Sequence, residues 1–337
     1  MRDAGAGGER VPRLVVSDFE FGADDRERLS ATLGADGLLL VQGVDAMREA
    51  LRAHPEADVL CTYRPPAHSF DLDARIRWLA LPSAGADGAV RAGLVRPGGP
   101  VVTDARGVHA GPISEFVFSM LLLWARSWPV MLAEQRERTW LAREARRLLS
   151  GRELRGTTLG IVGLGAIGRA VARLGRAFGM RVLATRRSAA EGERDTDVDA
   201  LLPVGRLREL LGASEYVVIA TPSTPETHHL IGADELRAMT PSAFLVNIAR
   251  GDVVDEAALI AALRAGRPGG AGLDVFEEEP LPASSPLWTM PNVIISPHVS
   301  GSSDRIAARF TDLFLENIAR YRAGRPLLNV VDPAVGY

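Results

Sequence analysis

The sequence predicts an α/β protein in which two domains, each built on a parallel sheet, are nested one inside the other. Three observations predict it. Short apolar runs alternate with amphipathic segments along most of the 337 residues, the pattern of parallel strands covered by helices. The stretch Thr157 to Gly168 carries an apolar strand into a glycine turn and then a helix. A last amphipathic helix follows the final strand and is expected to return to the first domain, so the chain would cross between domains twice. A chain of this length can hold two separate cores, and two crossings make a hinge and a closing cleft.

In order, Val11 to Ser17 reads as a strand and Asp24 to Leu33 as a helix with acidic residues in its first turn. Leu38 to Val41 and Asp58 to Thr62 are further strands, with a helix from Ala46 to Ala53 between them. Trp78 to Leu81 is a strand that runs into Pro82-Ser83-Ala84-Gly85-Ala86-Asp87. Ligands of open α/β sheets lie beyond the carboxyl ends of the strands, so this turn is either an anion cradle of backbone N–H groups or a plain strand-to-helix turn. Val101 to Thr103 is one more strand. Gly107 to Pro112 breaks the pattern, and the first crossing is placed there. Pro112 at a helix start and the apolar positions up to Trp124 predict a long buried helix. Gln135 to Leu149 is expected to continue as an Arg-rich helix whose charges form a solvated face.

After the glycine turn come a helix from Arg169 to Phe178 and a strand from Met180 to Thr185. Helices are predicted over Leu207 to Leu211, Asp234 to Met239 and Glu256 to Arg264. Strands are predicted over Tyr216 to Ala220, Ala243 to Ile248, Gly270 to Phe276 and Val293 to Ser296. Strand ends therefore bring Thr221, Arg250, Asp274 and His298 to one edge of one sheet, as a site requires. Asp304 to Tyr321 is the returning helix, with Ile306, Phe310, Leu313, Phe314 and Ile318 on its apolar face.

The composition is that of a globular protein, 47% hydrophobic and 24% charged with a formal net charge of −3. That balance gives no reason to expect nucleic acid or a membrane as partner. The sequence contains no lysine, which excludes a lysine Schiff base. Cys61 is the only cysteine, so neither an intrachain disulfide nor a cysteine metal cluster is expected, and a buried small hydrophobe is its expected role. Met1 to Arg10 is glycine-rich and charged without an apolar core, unlike a signal peptide, and Phe116 to Ala125 is too short to span a bilayer. A cytoplasmic protein is expected. His228 and His229 are adjacent but lack a third ligand nearby, so no metal site is expected.

The motif Gly163-x-Gly165-x-x-Gly168 follows a strand, opens a helix and precedes a second strand, which is the context of a dinucleotide fingerprint. Gly163 allows the tight turn, Gly165 lets backbone approach a pyrophosphate, and Gly168 allows close helix packing. The helix N-terminus offers N–H groups and a positive dipole end to the phosphates.

Together with Val246-Asn247-Ile248-Ala249-Arg250-Gly251, Leu273-Asp274-Val275-Phe276-Glu277-Glu278-Glu279-Pro280 and Ser296-Pro297-His298, this turn resembles the D-isomer-specific 2-hydroxyacid dehydrogenases, of the glyoxylate/hydroxypyruvate reductase kind. The resemblance implies two Rossmann-like/flavodoxin-like domains, with the cofactor domain inserted into the substrate domain. Residues 1–108 and 302–337 would form the substrate (catalytic) domain and 109–301 the dinucleotide-binding Rossmann domain. It implies a homodimer joined through the cofactor domain, moving a hydride between a nicotinamide cofactor and a 2-oxo or 2-hydroxy acid. The family's catalytic arginine, glutamate and histidine fall on Arg250, Glu279 and His298. A guanidinium can hold the substrate carboxylate and polarise the carbonyl. Histidine can donate a proton to the developing alkoxide, and Glu279 would hold the imidazole and stabilise its protonated form.

By the same resemblance Gly163, Gly165, Ala166, Ile167, Gly168, Thr185, Thr221, Ile248, Arg250, Asp274 and His298 would touch the cofactor. Ser83, Ala84 and Gly85 would bind the substrate with Arg250 and His298. Where members that prefer NAD end their second strand in Asp, this chain has Thr185-Arg186-Arg187-Ser188. An acid there accepts from the ribose 2′-OH, whereas Arg186 and Arg187 suit a 2′-phosphate, so NADP (NADPH) is the expected cofactor ahead of NAD. Substrate size would be set by loops such as Tyr63-Arg64-Pro65-Pro66 that no motif decodes, with Arg64 either facing the substrate or, as read here, a surface residue. The competing readings are a specialised biosynthetic 2-oxo acid reductase and a dinucleotide-sensing protein similar to the corepressors that resemble this family. Formate dehydrogenases share the fold but lack the Glu–His pairing.

Overall fold

The computed structural model describes residues 12–65, 75–142, 149 and 151–334. The chain divides into two compact units, one comprising Met1–His109 and Ser303–Tyr337 and the other Ala110–Ser302. Val11 in the expected first strand, the terminus Met1 to Arg10, and Pro66 lie outside the described residues.

In the first unit β1 (Val15–Ser17), β2 (Leu38–Leu40), β3 (Val59–Cys61), β4 (Trp78–Ala80) and β5 (Val101–Thr103) form a sheet ordered β2-β1-β3-β4-β5. Every pairing is parallel; α-helices carry the chain back to the same end of the sheet between β1 and β2, β2 and β3, and β4 and β5. One face packs on Met47, Leu51 and Ala89. The other receives the returning helix Ile306–Arg322, whose Phe310, Phe314 and Ile318 join Phe19, Phe21 and Trp78. Trp78 is fully buried, its ring 5.1 Å from that of Phe314, and its Nε1 donates to Thr103 Oγ1 at 2.9 Å. Such an acceptor removes the cost of burying an indole N–H away from water.

In the second unit β6 (Thr158–Val162), β7 (Arg181–Arg186), β8 (Ala200–Pro203), β9 (Tyr216–Ile219), β10 (Phe244–Asn247), β11 (Gly270–Leu273) and β12 (Val293–Ile295) are ordered β12-β11-β10-β9-β6-β7-β8. All are parallel. From β6 the chain winds outward through β7 and β8 on one side, then returns to β9 on the other. The strand order reverses between β6 and β9, where open sheets bind their ligands. The helix Ala110–Ala125 lies over this sheet and fits because β11 is nearly bare. A Cβ on Gly270 would stand 2.5 Å from the Trp124 ring, and one on Gly272 would stand 2.7 Å from Met120 Sδ. Trp124 stacks on Phe244 with centroids 4.8 Å apart.

The expected helix over 135–149 is corrected at residues 137–142. The helix in this region is Trp128–Arg136, and residues 137–142 are not helical. Arg138 takes a left-handed φ of 54°, and Thr139 N turns back to Glu134 O at 2.9 Å, which ends the helix; residues 143–148 and 150 lie outside the described residues. β8 goes unannounced in the sequence. It is an edge strand, where Pro203 removes no needed ladder donor. The strand predicted over Gly270 to Phe276 stops at Leu273, and the second strand of the glycine motif runs one residue further than read, to Arg186. Among the described residues no single helix is long and apolar enough to cross a membrane.

Two outcomes follow from this packing. Gly272→Val should lower stability by about 1–3 kcal/mol through overpacking against Met120 and Phe244, and an unchanged urea midpoint would contradict the packing described. Cys61 is fully buried, which pushes its thiol up to about 12. Iodoacetamide at pH 8 should therefore leave the native protein unlabelled and label it once urea exposes the thiol; labelling in the native state would show that β3 is not the buried strand described.

Candidate active site

The glycine turn is held from both sides. Gly163 has a φ of 101°, and the N–H groups of Gly163 and Leu164 both donate to Thr185 O at 3.1 Å. A Cβ on Gly163 would stand 2.8 Å from Ala220 O, and one on Gly168 would stand 2.2 Å from Gly163 O, so the fold itself forbids side chains there. Gly165 differs. A Cβ there would meet no atom within 4 Å, so packing gives no reason for glycine, and the space kept open lies at the N-terminus of the helix Ala166–Ala177. A cradle that any side chain would fill, facing free helix N–H groups, fits the pyrophosphate of a dinucleotide. Ala166 and Ile167 form the first turn of that helix.

At the end of β7, Thr185 is buried and contributes its carbonyl to the turn. Arg186 follows as the last strand residue, its side chain 27% exposed and ion-paired to Glu193. Arg187 is exposed beyond it. Asp195 accepts both Nη atoms of Arg169 at 2.8 and 2.9 Å, which holds its carboxyl below the usual carboxylate range.

The ends of β9 to β12 carry the remaining residues. Thr221 follows β9, half-buried, and Ile248 follows β10, buried. Asn247, also buried, braces the next turn: its Oδ1 accepts from Ala249 N at 3.1 Å and its Nδ2 donates to Arg250 O at 2.9 Å. Arg250 is half-buried, with Nη1 donating to Ala249 O at 2.6 Å. Gly251 comes next because a Cβ there would fall 1.9 Å from the Phe276 carbonyl.

Asp274 is fully buried. Its Oδ1 accepts from Ser296 Oγ at 2.7 Å and Val299 N at 2.9 Å, its Oδ2 from Ser300 N at 2.9 Å, and its carbonyl from His298 N at 2.8 Å. His298 itself has a left-handed φ of 54°. Its Nδ1 lies 2.8 Å from Glu279 Oε2, and Glu279 Oε1 accepts from Phe276 N at 3.1 Å. With Nδ1 taken by the carboxylate, Nε2 is the ring atom left to meet a substrate. The sequence pairs Glu279 with His298 only by resemblance; the structure puts the two in contact. It also adds what the motifs do not announce, the bracing by Asn247 and Asp274 and the acids beside Arg186. The Asn and Asp stand inside quoted motifs, whereas Glu193 stands in no motif.

Ser83, Ala84 and Gly85 belong to the first unit, at the carboxyl end of β4. Ser83 Oγ donates to Gly85 O at 2.7 Å and Ser83 O accepts from Ala105 N at 2.8 Å, so the loop is shaped by its own polar groups. His228 and His229 stack with ring centroids 4.0 Å apart, and His229 pairs with Glu277 at 2.8 Å. Among the described residues no group of three or more His, Cys, Asp or Glu side chains could hold a metal.

Residues 118–300 match the family model described as D-isomer specific 2-hydroxyacid dehydrogenase, NAD binding domain. The chain is 39% identical over 242 residues to a glyoxylate reductase of Korarchaeum cryptofilum, covering 70% of each chain. It is 36% identical over 295 residues to a glyoxylate reductase of Thermococcus gammatolerans, covering 84% of this chain and 81% of the relative. A D-isomer specific 2-hydroxyacid dehydrogenase from Xanthobacter autotrophicus Py2, solved in complex with NADPH and MES, has the same fold with a TM-score of 0.80 at 32% identity, over 97% of this chain and 100% of that one. With these likenesses and the glycine cradle, the chain belongs to the D-isomer-specific 2-hydroxyacid dehydrogenases, and it is an NAD(P)-dependent oxidoreductase.

Proposed function

We propose that this protein reduces a small 2-oxo acid, such as glyoxylate, hydroxypyruvate or a bulkier relative, to the D-2-hydroxy acid, with NADPH preferred over NADH. The observation that carries the reading is the Glu279–His298 pair at the sheet edge that also bears Arg250 and the glycine cradle. NADPH, when bound, supplies the hydride. Arg250 holds the substrate carboxylate and polarises its carbonyl oxygen. His298 gives a proton from Nε2 to the developing alkoxide, while Glu279 at Nδ1 keeps the ring oriented and favours its charged form. Asp274 acts on both sides of this, fixing the backbone of His298 and lying where the family resemblance places a cofactor contact. Ser83 to Gly85 receives the acid in the substrate domain, residues 1–108 and 302–337, and residues 109–301 form the cofactor domain.

Arg186 and Arg187 at the end of β7 support the preference for NADPH, as does the NADPH carried by the Xanthobacter relative. Turnover by a working Glu–His pair is favoured over a dinucleotide sensor because the pair is already in contact. Cofactor oxidation at 340 nm against a panel of 2-oxo acids should show turnover that is faster with NADPH. His298→Ala should lose roughly a hundredfold or more in kcat while still binding NADPH, with a smaller loss for Glu279→Gln. No turnover with any acid, despite tight cofactor binding, would favour the sensor instead.

The helix Trp128–Arg136 buries none of its residues, leaving Trp128, Val130 and Leu132 exposed, and Trp140 beyond it is 86% exposed. Apolar surface of this kind marks an interface, and we infer the homodimer that the family resemblance implies. Light scattering behind a sizing column should give twice the chain mass, falling to the chain mass for Val130→Asp/Trp140→Glu; a monomeric parent would sink the inference.

A further inference from the structure

We infer that Glu193 sets how strongly the enzyme prefers NADPH to NADH, because it holds Arg186 as an internal rival to the cofactor's 2′-phosphate. The inference rests on the NADPH reading above. In a doubly wound sheet the adenosine ribose lies past the end of the second strand of the glycine motif, and in this chain that strand ends on Arg186. The connection from β7 to β8 then folds back on it. Glu193 N donates to Ala190 O at 3.2 Å and Glu193 Oε2 accepts from Ala190 N at 3.0 Å, closing a turn that aims Oε1 at Arg186 Nη2.

A second acid, Asp195, stands 3.7 Å from Arg186 Nη1 but is committed elsewhere, to the two Nη atoms of Arg169. Arg169 in turn reaches Asp197 at 3.0 Å, and Asp197 reaches Arg173 at 3.2 Å. Asp195 is therefore part of the scaffold, and Glu193 is the acid that closes on Arg186. Its carboxyl is held below the usual range, first by the Ala190 N–H and then by Arg186, so it is ionised at neutral pH. The pairing does not saturate the guanidinium, whose buried Nε has no acceptor among the described residues.

The two cofactors meet this carboxylate differently. A 2′-phosphate needs the Arg186 fork that Glu193 occupies, and it brings like charge within a few ångströms of a carboxylate. A 2′-hydroxyl can instead donate a hydrogen bond to Glu193. Glu193 thus weakens NADPH binding and supports NADH, keeping the enzyme less selective than its arginines alone would make it.

The test is kcat/KM for NADPH and NADH with one 2-oxo acid, in the parent, Glu193→Gln, Arg186→Ala and the double variant. Glutamine keeps the shape and can keep the Ala190 bond while losing the charge. Glu193→Gln should raise kcat/KM for NADPH about fivefold, the size of a partly exposed ion pair, through KM, and should leave NADH unchanged or weaker. The gain should vanish on the Arg186→Ala background. Binding of 2′-phosphoadenosine should tighten in parallel, without turnover. If Glu193→Gln moves both cofactors equally, or only lowers the melting temperature, the pair is structural and the inference is overturned. If Arg186→Ala spares NADPH, the NADPH reading itself fails, a result separable from the first because it concerns Arg186 alone.

Discussion

A carboxylate with no solvent exposure, Asp274, organises the sheet edge that carries the candidate site. Burying Asp274 away from water costs several kcal/mol unless donors replace the water, and three do: Ser296 Oγ, Val299 N and Ser300 N. These donors come from the segment after β12, so satisfying the charge means clamping that segment to the end of β11. His298 lies inside the clamp in a left-handed conformation with its own N–H on the Asp274 carbonyl. The ring is thereby delivered to Glu279, which is fixed by the Phe276 N–H. Phe276 in turn abuts Gly251, the residue after Arg250. One buried charge therefore couples the backbone positions of Arg250, Glu279 and His298, the rigid placement that their proposed roles require.

Much of this was legible in the sequence because each signal was local. The strands of both sheets announce themselves as short apolar runs bounded by Gly, Pro or Asp, and the glycine turn carries its own neighbours. Strand ends place Arg250 and His298 at one sheet edge, but the roles of Arg250, Glu279 and His298 come only with the resemblance: alone, each is an ordinary arginine, charge run or histidine. What the structure adds is contact. That Asp274 braces the loop it faces across two strands depends on the register of β11 with β12, which no single segment encodes.

The misreadings have the same origin. The Arg-rich pattern of residues 135–149 suits a helix at every position, yet Arg138 turns left-handed and the chain leaves the helical path. β8 is short and ends in Pro203, so by itself it resembles a loop; only its place at the sheet edge makes a proline acceptable there. Reading β7 to end at Thr185 instead of Arg186 is a one-residue difference. It has consequences for the proposed cofactor preference, which rests on the last residue of that strand.

The absence of lysine gives this edge its particular character. An ammonium is a compact point charge, whereas a guanidinium presents a planar fork that several acceptors can share. Arg169 uses that fork to take Asp195 with both Nη atoms and still reach Asp197, making a rigid strut from the first turn of the cofactor helix to the loop after β7. A site for a phosphate needs the opposite property, a cation not wholly spent on its own protein. For the proposed 2′-phosphate site, the same loop supplies both conditions within a few residues. Asp195 and Asp197 lock the strut, while Glu193, carried on a tight turn and a third exposed, holds the neighbouring arginine by an ion pair in partial contact with water. Such a pair is weak enough for a doubly charged phosphate to compete with and strong enough to keep the guanidinium in place when no phosphate is bound.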